Sequence, residues 1–429
     1  MMKRVGVAIL GVGVVGGGTF KTLVDHREFY KTTQNVDIVV ESVLDNNKER
    51  ALSIGVPEEI LAGNIAEVVA NPAVDIVIET IGGCGVAKDF ILAALKAGKT
   101  VVTANKELIS KHSHELEKVA KRNCCGLYYE ASCVGGVPII RTLLDGVQAN
   151  HITSLMGIIN GTTNYILTKM TQENADYASA LKEAQRLGYA ESDPTNDVEG
   201  FDATYKLSIL SSMAFHTKVP YTKIMREGIS GVESIDIAFG KQLGYTLKLL
   251  AIGKNGKDGI EARVHPTFIP NAHPLASVND SYNAVFLTGD AVEDIMLYGR
   301  GAGSLPTASA VVSDVIYAAT HSEIKYSTFK NTEKADKETQ FVADFSSAYY
   351  IRLAVSDNTG VLAKITGIFA KFGISIVEVA QRGQKADENA CIPVIVITHK
   401  TTENRVKKAV EKINQTGLTT VKAVIRVEQ

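Results

Sequence analysis

The chain has 429 residues, with 45 basic against 47 acidic side chains for a formal net charge of -2, and 36 glycines but no tryptophan. Its length predicts two or three domains, because single cores stop growing at about 250–300 residues. Charges of both signs are interleaved, so there is no basic footprint for nucleic acid and no polybasic anchor for a membrane; a small-molecule partner is expected.

The first residues, Met1-Met2-Lys3-Arg4 with an apolar run to Val15, have the outline of a secretory leader, but glycines stud the run and no small-residue cleavage site follows. No other stretch reaches the ~18 apolar residues that a membrane span needs. The glycines have nucleotide-binding spacing instead. Gly11-Val12-Gly13-Val14-Val15-Gly16 directly follows an expected strand, Arg4 to Leu10, and opens a helical stretch, which is the setting a dinucleotide fingerprint requires. Gly11 permits the tight turn, Gly13 lets backbone approach a pyrophosphate, and Gly16 lets helix pack on strand, leaving amides and the helix dipole facing the anion.

Val36 to Leu44, Val74 to Glu79 and Thr100 to Thr103 are further expected strands, apolar with little alternation, as in a parallel sheet covered on both faces. A helix over Ala87 to Ala97, stopped by Gly98, completes one crossover. Asp45 ends the second strand, where a carboxylate would take an adenosine ribose and favour NAD, while Lys48 and Arg50 just beyond would favour the extra phosphate of NADP. The choice stays open, as does the alternative that the two cations only solvate the next helix. Thr103-Ala104-Asn105-Lys106 leaves the fourth strand at the carboxyl edge of the sheet, where doubly wound folds bind ligands. Lys106 there suits a carboxylate or a carbonyl oxygen; a solvated lysine is the plainer alternative.

The pattern changes near residue 130, and a strand from Ile152 to Ile159 opens a second α/β region. Asp202 and Lys206, four apart on an expected helix, project from one face. A surface ion pair would satisfy that spacing, yet the glycine- and proline-bearing loop ahead places Glu191 toward the same pocket. Reducing a carbonyl by hydride transfer requires a proton for the developing alkoxide, and a lysine desolvated in a closed site, its pKa lowered toward neutrality, can deliver it. Lys206 is the expected acid/base. Residues 321 to 345 are polar and suit a linker, after which Tyr350 to Val355, Ser375 to Ala380, Ile392 to Thr398 and Val421 to Val427 are expected strands around two amphipathic helices, a βαββαβ ferredoxin-like unit. Cys84, Cys124, Cys125, Cys133 and Cys391 are odd in number and lack C-x-x-C spacing, which is expected of reduced thiols in a cytoplasmic protein.

The segment from Ala184 to Lys206, with Gly188, Glu191, Pro194, Asp197, Gly200 and Asp202 at fixed offsets, resembles the homoserine dehydrogenase signature. Gly157 to Leu167, Gly82-Gly83, Thr103 to Lys106, and Gly301-Ala302-Gly303 leading into Pro306 to Ala310 are similar to the same family, so the resemblance covers nearly the whole chain. The C-terminal unit resembles the ACT domain. The resemblance implies an α/β protein: an N-terminal Rossmann doubly wound parallel sheet (1–130, rejoined by 305–325), an α/β catalytic and dimerisation domain (131–304), a linker (326–348) and a ferredoxin-like ACT domain (349–429).

It further implies NADP- or NAD-dependent interconversion of L-aspartate 4-semialdehyde and L-homoserine in a homodimer or homotetramer. Lys206 would be the acid/base and Lys106 a second lysine at the reacting centre that also meets cofactor, with Asp202 and Glu191 at the amino end of the substrate. Gly11, Gly13, Val14, Val15, Gly16, Asp45, Gly188 and Gly303 would contact cofactor. Glu130 and the loop to Val137 resemble a sodium site made by one carboxylate and the carbonyls of Cys133, Gly135 and Val137, oxygen ligands of the kind hard cations prefer; a glycine-rich turn with a capping glutamate is the alternative. Asp357, Asn358 and Gly360 resemble the ACT effector loop, with threonine the expected effector. The chain departs from many relatives at Leu44, where they carry arginine, which argues against a strict NADP preference. Two other classes compete: a non-catalytic dinucleotide-dependent sensor, opposed by the joint presence of Lys106, Asp202 and Lys206, and an amino-acid dehydrogenase forming an imine at the α-carbon.

Overall fold

A computed structural model describes residues 2–321, 323, 339–356, 358–381 and 391–428. The expected effector residue Asp357 and residues 326–338 of the expected linker lie outside the described residues. The N-terminal sheet is parallel and contains β1 (Lys3–Leu10), β2 (Val36–Leu44), β3 (Ile76–Glu79), β4 (Thr100–Thr103) and β5 (Leu127–Tyr128), in the order β2-β1-β3-β4-β5. Val5 to Leu10 of β1 are all buried, because helices cover both faces of the sheet and an apolar run without alternation is the pattern that such a position selects. The helix Ser304–Thr320 returns from far along the sequence and buries Val311, Val312, Val315 and Ala319 in the same core as Val5, Val7, Ile9 and Ile38.

The second sheet is mainly antiparallel. It contains β6 (Ile152–Ile158), β7 (Met225–Arg226), β8 (Tyr245–Gly256), β9 (Gly259–Pro270), β10 (Tyr282–Gly289) and β11 (Glu293–Arg300), and then continues through β12 (Ser346–Ser356), β13 (Ile376–Gln381), β14 (Cys391–Thr398), β15 (Thr401–Thr402) and β16 (Thr419–Val427). The order along its main path is β11-β10-β6-β8-β9-β16-β12-β14-β13. The last five strands with the helices Val361–Lys371 and Glu403–Asn414 form the βαββαβ unit.

The catalytic region and the βαββαβ unit do not bury separate cores. Strand β16 pairs in parallel with β9 through Arg426–Thr267 and Val427–Phe268. Along β12 the side chains alternate: Tyr349, Ile351 and Leu353 pack under the unit's own helices, whereas Tyr350 joins Ile395, Ile425 and Val427 in one core with Phe268 and Leu249 of the catalytic region. Tyr350 and Arg352 both donate to buried Asp236, at 2.9 and 2.6 Å, and Arg426 pairs with Glu227. The expected linker is partly structured as well: the Ile260 amide donates to the Gln340 carbonyl and the Val342 amide to the Ile260 carbonyl, both at 2.9 Å, and residues 346–348 already belong to β12. No helix among the described residues is long and apolar enough to cross a membrane.

Candidate active site

The turn after β1 shows why its glycines are needed. Gly11 has φ +83°, and a Cβ on Gly16 would overlap the Gly11 carbonyl oxygen and lie 2.6 Å from Thr80 Oγ1. Gly13, the N-cap of the helix Val14–Asp25, faces open space on the side where a Cβ would stand. First-turn amides at Val14 and Val15 thus face a backbone-lined approach suited to a pyrophosphate. Ser304 Oγ donates to the Val14 carbonyl at 2.8 Å, which sets Gly303 (φ +126°) beside this turn. Beyond it lies a cavity of about 370 Å³ lined by Gly11, Gly13, Asp45, Arg50, Ile81 and Phe90, among others.

Asp45 is placed there, but its carboxylate is already engaged. It accepts from the Val12 amide at 2.6 Å, the Asn47 amide at 2.7 Å and Arg50 Nη2 at 2.8 Å. Burial raises its pKa, and the two amides with Arg50 outweigh that and hold it below the ordinary value. The carboxylate that the sequence reading offers to a ribose therefore serves first to bring the half-exposed Arg50 guanidinium to the cavity wall. Lys48 begins the following helix and is exposed.

At the carboxyl edge of the same sheet, Lys106 opens the helix Lys106–Arg122, with Asn105 capping it through Leu108 N at 3.0 Å. Lys206 and Asp202 come from the helix Phe201–Ala214. Lys206 Nζ donates to Asp202 Oδ2 at 2.6 Å and to the Ile159 carbonyl at 2.9 Å, and Lys106 Nζ lies 3.2 Å from the other oxygen, Asp202 Oδ1. One buried carboxylate thus holds two lysines. Burial alone would raise the Asp202 pKa; the two ammonium groups reverse this and hold it well below its ordinary value. Asp202 in turn holds Lys106 above the usual lysine range against its desolvation.

The sequence reading missed Asn160 and Asp197. Asn160 caps the helix Gly161–Gln172 and donates from Nδ2 to Asp197 at 2.7 Å and to Asp202 at 2.9 Å. Burial, and next the charge of Asp202, push Asp197 up. Both residues lie in the two segments that carry the family resemblance, and that proximity was the available signal. Glu191 is a different case: it is exposed on the loop after Gly188, its backbone carbonyl accepts from Gln185 Nε2 at 3.0 Å, and its carboxylate has no hydrogen-bond partner among the described residues. Gly188 (φ +77°) has open space around it. The structure does not bring the Glu191 carboxylate into the lysine cluster, because the loop turns it to solvent.

Glu130 is buried, and its two oxygens accept from the amides of Ile140 at 2.9 Å and Arg141 at 2.6 Å, so it does cap the short helix that follows. Burial and then Asp314 push its pKa up to about 7, and burial pushes Asp314 to about 6. Arg141 pairs with Asp314 at 3.0 Å. Val134 and Gly135 both have positive φ, which turns the loop sharply between Cys133 and Val137. Cys133 is fully buried, with its thiol pushed up to about 12 by desolvation. In the C-terminal unit a cavity of about 210 Å³ is lined by Ser356, Asn358, Gly360, Leu362, Gln381 and Ile392, among others.

A glycine-turned dinucleotide site on a parallel sheet, with a lysine–carboxylate–lysine cluster whose Lys106 leaves the carboxyl edge of the same sheet, defines an NAD(P)-dependent oxidoreductase. Family models describe which one: "Homoserine dehydrogenase, NAD binding domain" matches residues 11–130, "Homoserine dehydrogenase" residues 138–316 and "ACT domain" residues 349–417. A homoserine dehydrogenase of Bacillus subtilis is 39% identical, with 100% of this chain and 99% of that protein covered. The crystal structure of a homoserine dehydrogenase from Thiobacillus denitrificans is similar over 100% of this chain and 99% of that one, at TM-score 0.92 and 39% identity. A hyperthermophilic archaeal homoserine dehydrogenase in complex with NADPH is similar over 73% of this chain and 97% of its own, at TM-score 0.62 and 26% identity. The chain belongs to the homoserine dehydrogenase family, whose members act on the CH–OH group of homoserine.

Proposed function

We propose that this chain interconverts L-aspartate 4-semialdehyde and L-homoserine with NADP or NAD, in the cytoplasmic synthesis of threonine, methionine and isoleucine. The observation that carries the reading is the buried Asp202 carboxylate holding Lys206 and Lys106 at the sheet edge. When bound, the nicotinamide supplies or accepts the hydride. Lys206 gives its proton to the aldehyde oxygen in one direction and removes it from the hydroxyl in the other. Lys106 is the second cation near the developing oxyanion. Asp202 orients both lysines, Asn160 fixes Asp202, and the substrate's amino end meets Asp202. Glu191 is the proposed second contact for that amino group, which requires the loop after Gly188 to fold inward.

Gly11, Gly13, Val14, Val15 and Gly16 would hold the pyrophosphate, with Gly188 and Gly303 against the cofactor. Asp45 and Arg50 meet the adenosine ribose; Arg50 offers a 2′-phosphate the cation that Leu44 does not, as the NADPH-bound archaeal relative makes chemically reasonable. The loop at Glu130 suits sodium because two buried carboxylates share one guanidinium there, leaving negative charge for a monovalent cation to balance. Glu130 and the carbonyls of Cys133, Gly135 and Val137 would be its ligands. Asn358, Gly360 and Asp357 would take threonine as feedback effector, in a homodimer or homotetramer. The test is to follow nicotinamide absorbance with homoserine and, separately, aspartate: turnover of homoserine alone supports the reading, and turnover of aspartate alone replaces it with imine chemistry.

A further inference from the structure

Glu79 ends β3 and is fully buried. Among the described residues no cation pairs with it. Its carboxylate accepts three hydrogen bonds: Oε1 from the amides of Ile81 and Gly82, both at 2.8 Å, and Oε2 from Thr103 Oγ1 at 2.5 Å. An unpaired carboxylate is costly to bury, so its position calls for a reason beyond packing.

The partners supply one. Thr103 Oγ1, while donating to Glu79, accepts from the Asn105 amide at 3.0 Å. Asn105 caps the helix that starts at Lys106 and sends Nδ2 to the Gly83 carbonyl at 2.7 Å. The Glu79 carbonyl also accepts from the Ala104 amide at 3.3 Å. The amides of Ala104 and Asn105 are thus tied to Glu79, the first directly and the second through Thr103 Oγ1, the Lys106 amide follows through the Ala104 carbonyl at 3.2 Å, and the amides of Ile81 and Gly82 tie the loop that borders the cofactor cavity. Gly82 and Gly83 have φ +84° and +73°, so this loop has the freedom to adopt other conformations unless something holds it.

We propose that Glu79 is a positioning residue for the reaction: through Thr103 and Asn105 it fixes the backbone from which Lys106 meets Asp202, and through two amides it fixes the loop beside the cofactor. The proposal rests on the reading of Lys106, Asp202 and Lys206 as the reacting cluster. A site held loosely by its supporting residues loses rate even when every reacting group is present.

The test uses the full chain. Glu79→Gln keeps the volume but loses an acceptor, and Thr103→Val removes the relay hydroxyl while Thr103→Ser keeps it. Glu79→Gln and Thr103→Val should lower kcat/KM for homoserine roughly 10- to 100-fold, the loss expected for a hydrogen bond to a charged group, with Thr103→Ser close to the parent. NADPH affinity, read by nicotinamide fluorescence, should stay close to the parent in Thr103→Val and in Glu79→Gln, whose amide oxygen can still accept from Ile81 and Gly82, and should weaken in Glu79→Met, which removes every acceptor from the loop; parent-like affinity in Glu79→Met overturns the role of Glu79 in fixing that loop. Combining Glu79→Gln with Lys106→Ala should cost little more than Lys106→Ala alone, because groups acting through one another are not additive. Parent-like kinetics in Glu79→Gln, or fully additive losses in the double variant, overturn the proposal. If Lys106→Ala itself turns over normally, the reading of the cluster fails instead.

Discussion

Replacing Lys206 with methionine keeps the length of the side chain and removes the ammonium. The structure fixes two separate consequences. The first is energetic: Lys206 donates to Asp202 at 2.6 Å and to Ile159 at 2.9 Å, and breaking a buried pair costs about 3–5 kcal/mol. Lys106 at 3.2 Å and Asn160 at 2.9 Å still hold Asp202, which places the loss near 3 kcal/mol, or roughly 6–12 °C in Tm. Asp202 contributes through a depressed pKa, so its stabilisation is present above the unfolded value of about 4 and disappears as pH falls through the lower folded value. The variant has less depression to lose. The stability gap between parent and variant should therefore be widest near neutrality and narrow in acid. The second consequence is catalytic: kcat should fall at least ~10²-fold with the loss of a positioned proton donor, while NADP affinity is retained. Denaturant unfolding at several pH values, steady-state kinetics and NADPH fluorescence measure the stability gap, kcat and cofactor affinity in turn. Near-parent turnover, or a stability gap that does not change with pH, would refute the reasoning.

Arg50→Ala should cost roughly tenfold in kcat/KM with NADP and much less with NAD, since only the former offers a second anion to the guanidinium; equal losses with both cofactors would count against Arg50 as the phosphate contact. Glu130 and Asp314 have folded pKa values of about 7 and about 6, above ordinary carboxylates. Stability in sodium-free buffer should accordingly fall as pH rises from about 4 through 7, and added sodium should raise Tm more at about pH 8 than at about pH 5; an equal rise at both would show that sodium does not meet these carboxylates. Gly360→Asp puts a side chain at φ +86° on the wall of the C-terminal cavity and should abolish a threonine response without loss of basal rate. Deleting everything after about residue 335 uncovers the β9 edge and strips Asp236 and Glu227 of their arginines, so the truncated protein should melt lower or aggregate; a soluble, fully active product would show that the shared sheet is dispensable.

Local signals were enough for much of this protein. The turn Gly11 to Gly16 is legible because the positive φ of Gly11 and the close approach of Gly16 to the Gly11 carbonyl are constraints written within six residues, and the strands β2 and β4 fall where apolar runs end at Asp45 and Ala104. The pair Asp202–Lys206 is legible from helical spacing alone. Strand β5, two residues long, has no periodicity to read and exists only because β4 offers it an edge.

What the tertiary structure decided are the meetings between distant segments. Asn160 reaches Asp197 and Asp202 across 37 and 42 residues, and Lys106 reaches Asp202 from the other domain's first helical turn; no local pattern records such distances. Asp45 looked like a free ribose acceptor because the sequence does not show that the Val12 and Asn47 amides and Arg50 converge on it. The joint between the two halves followed the same rule. The βαββαβ pattern by itself describes a unit with one covered face, and only the pairing of β16 with β9 and the burial of Tyr350, Arg352 and Asp236 together show that its other face is covered by the catalytic region. Periodicity specifies which side of a strand is apolar; which neighbour buries that side depends on how the chain as a whole packs.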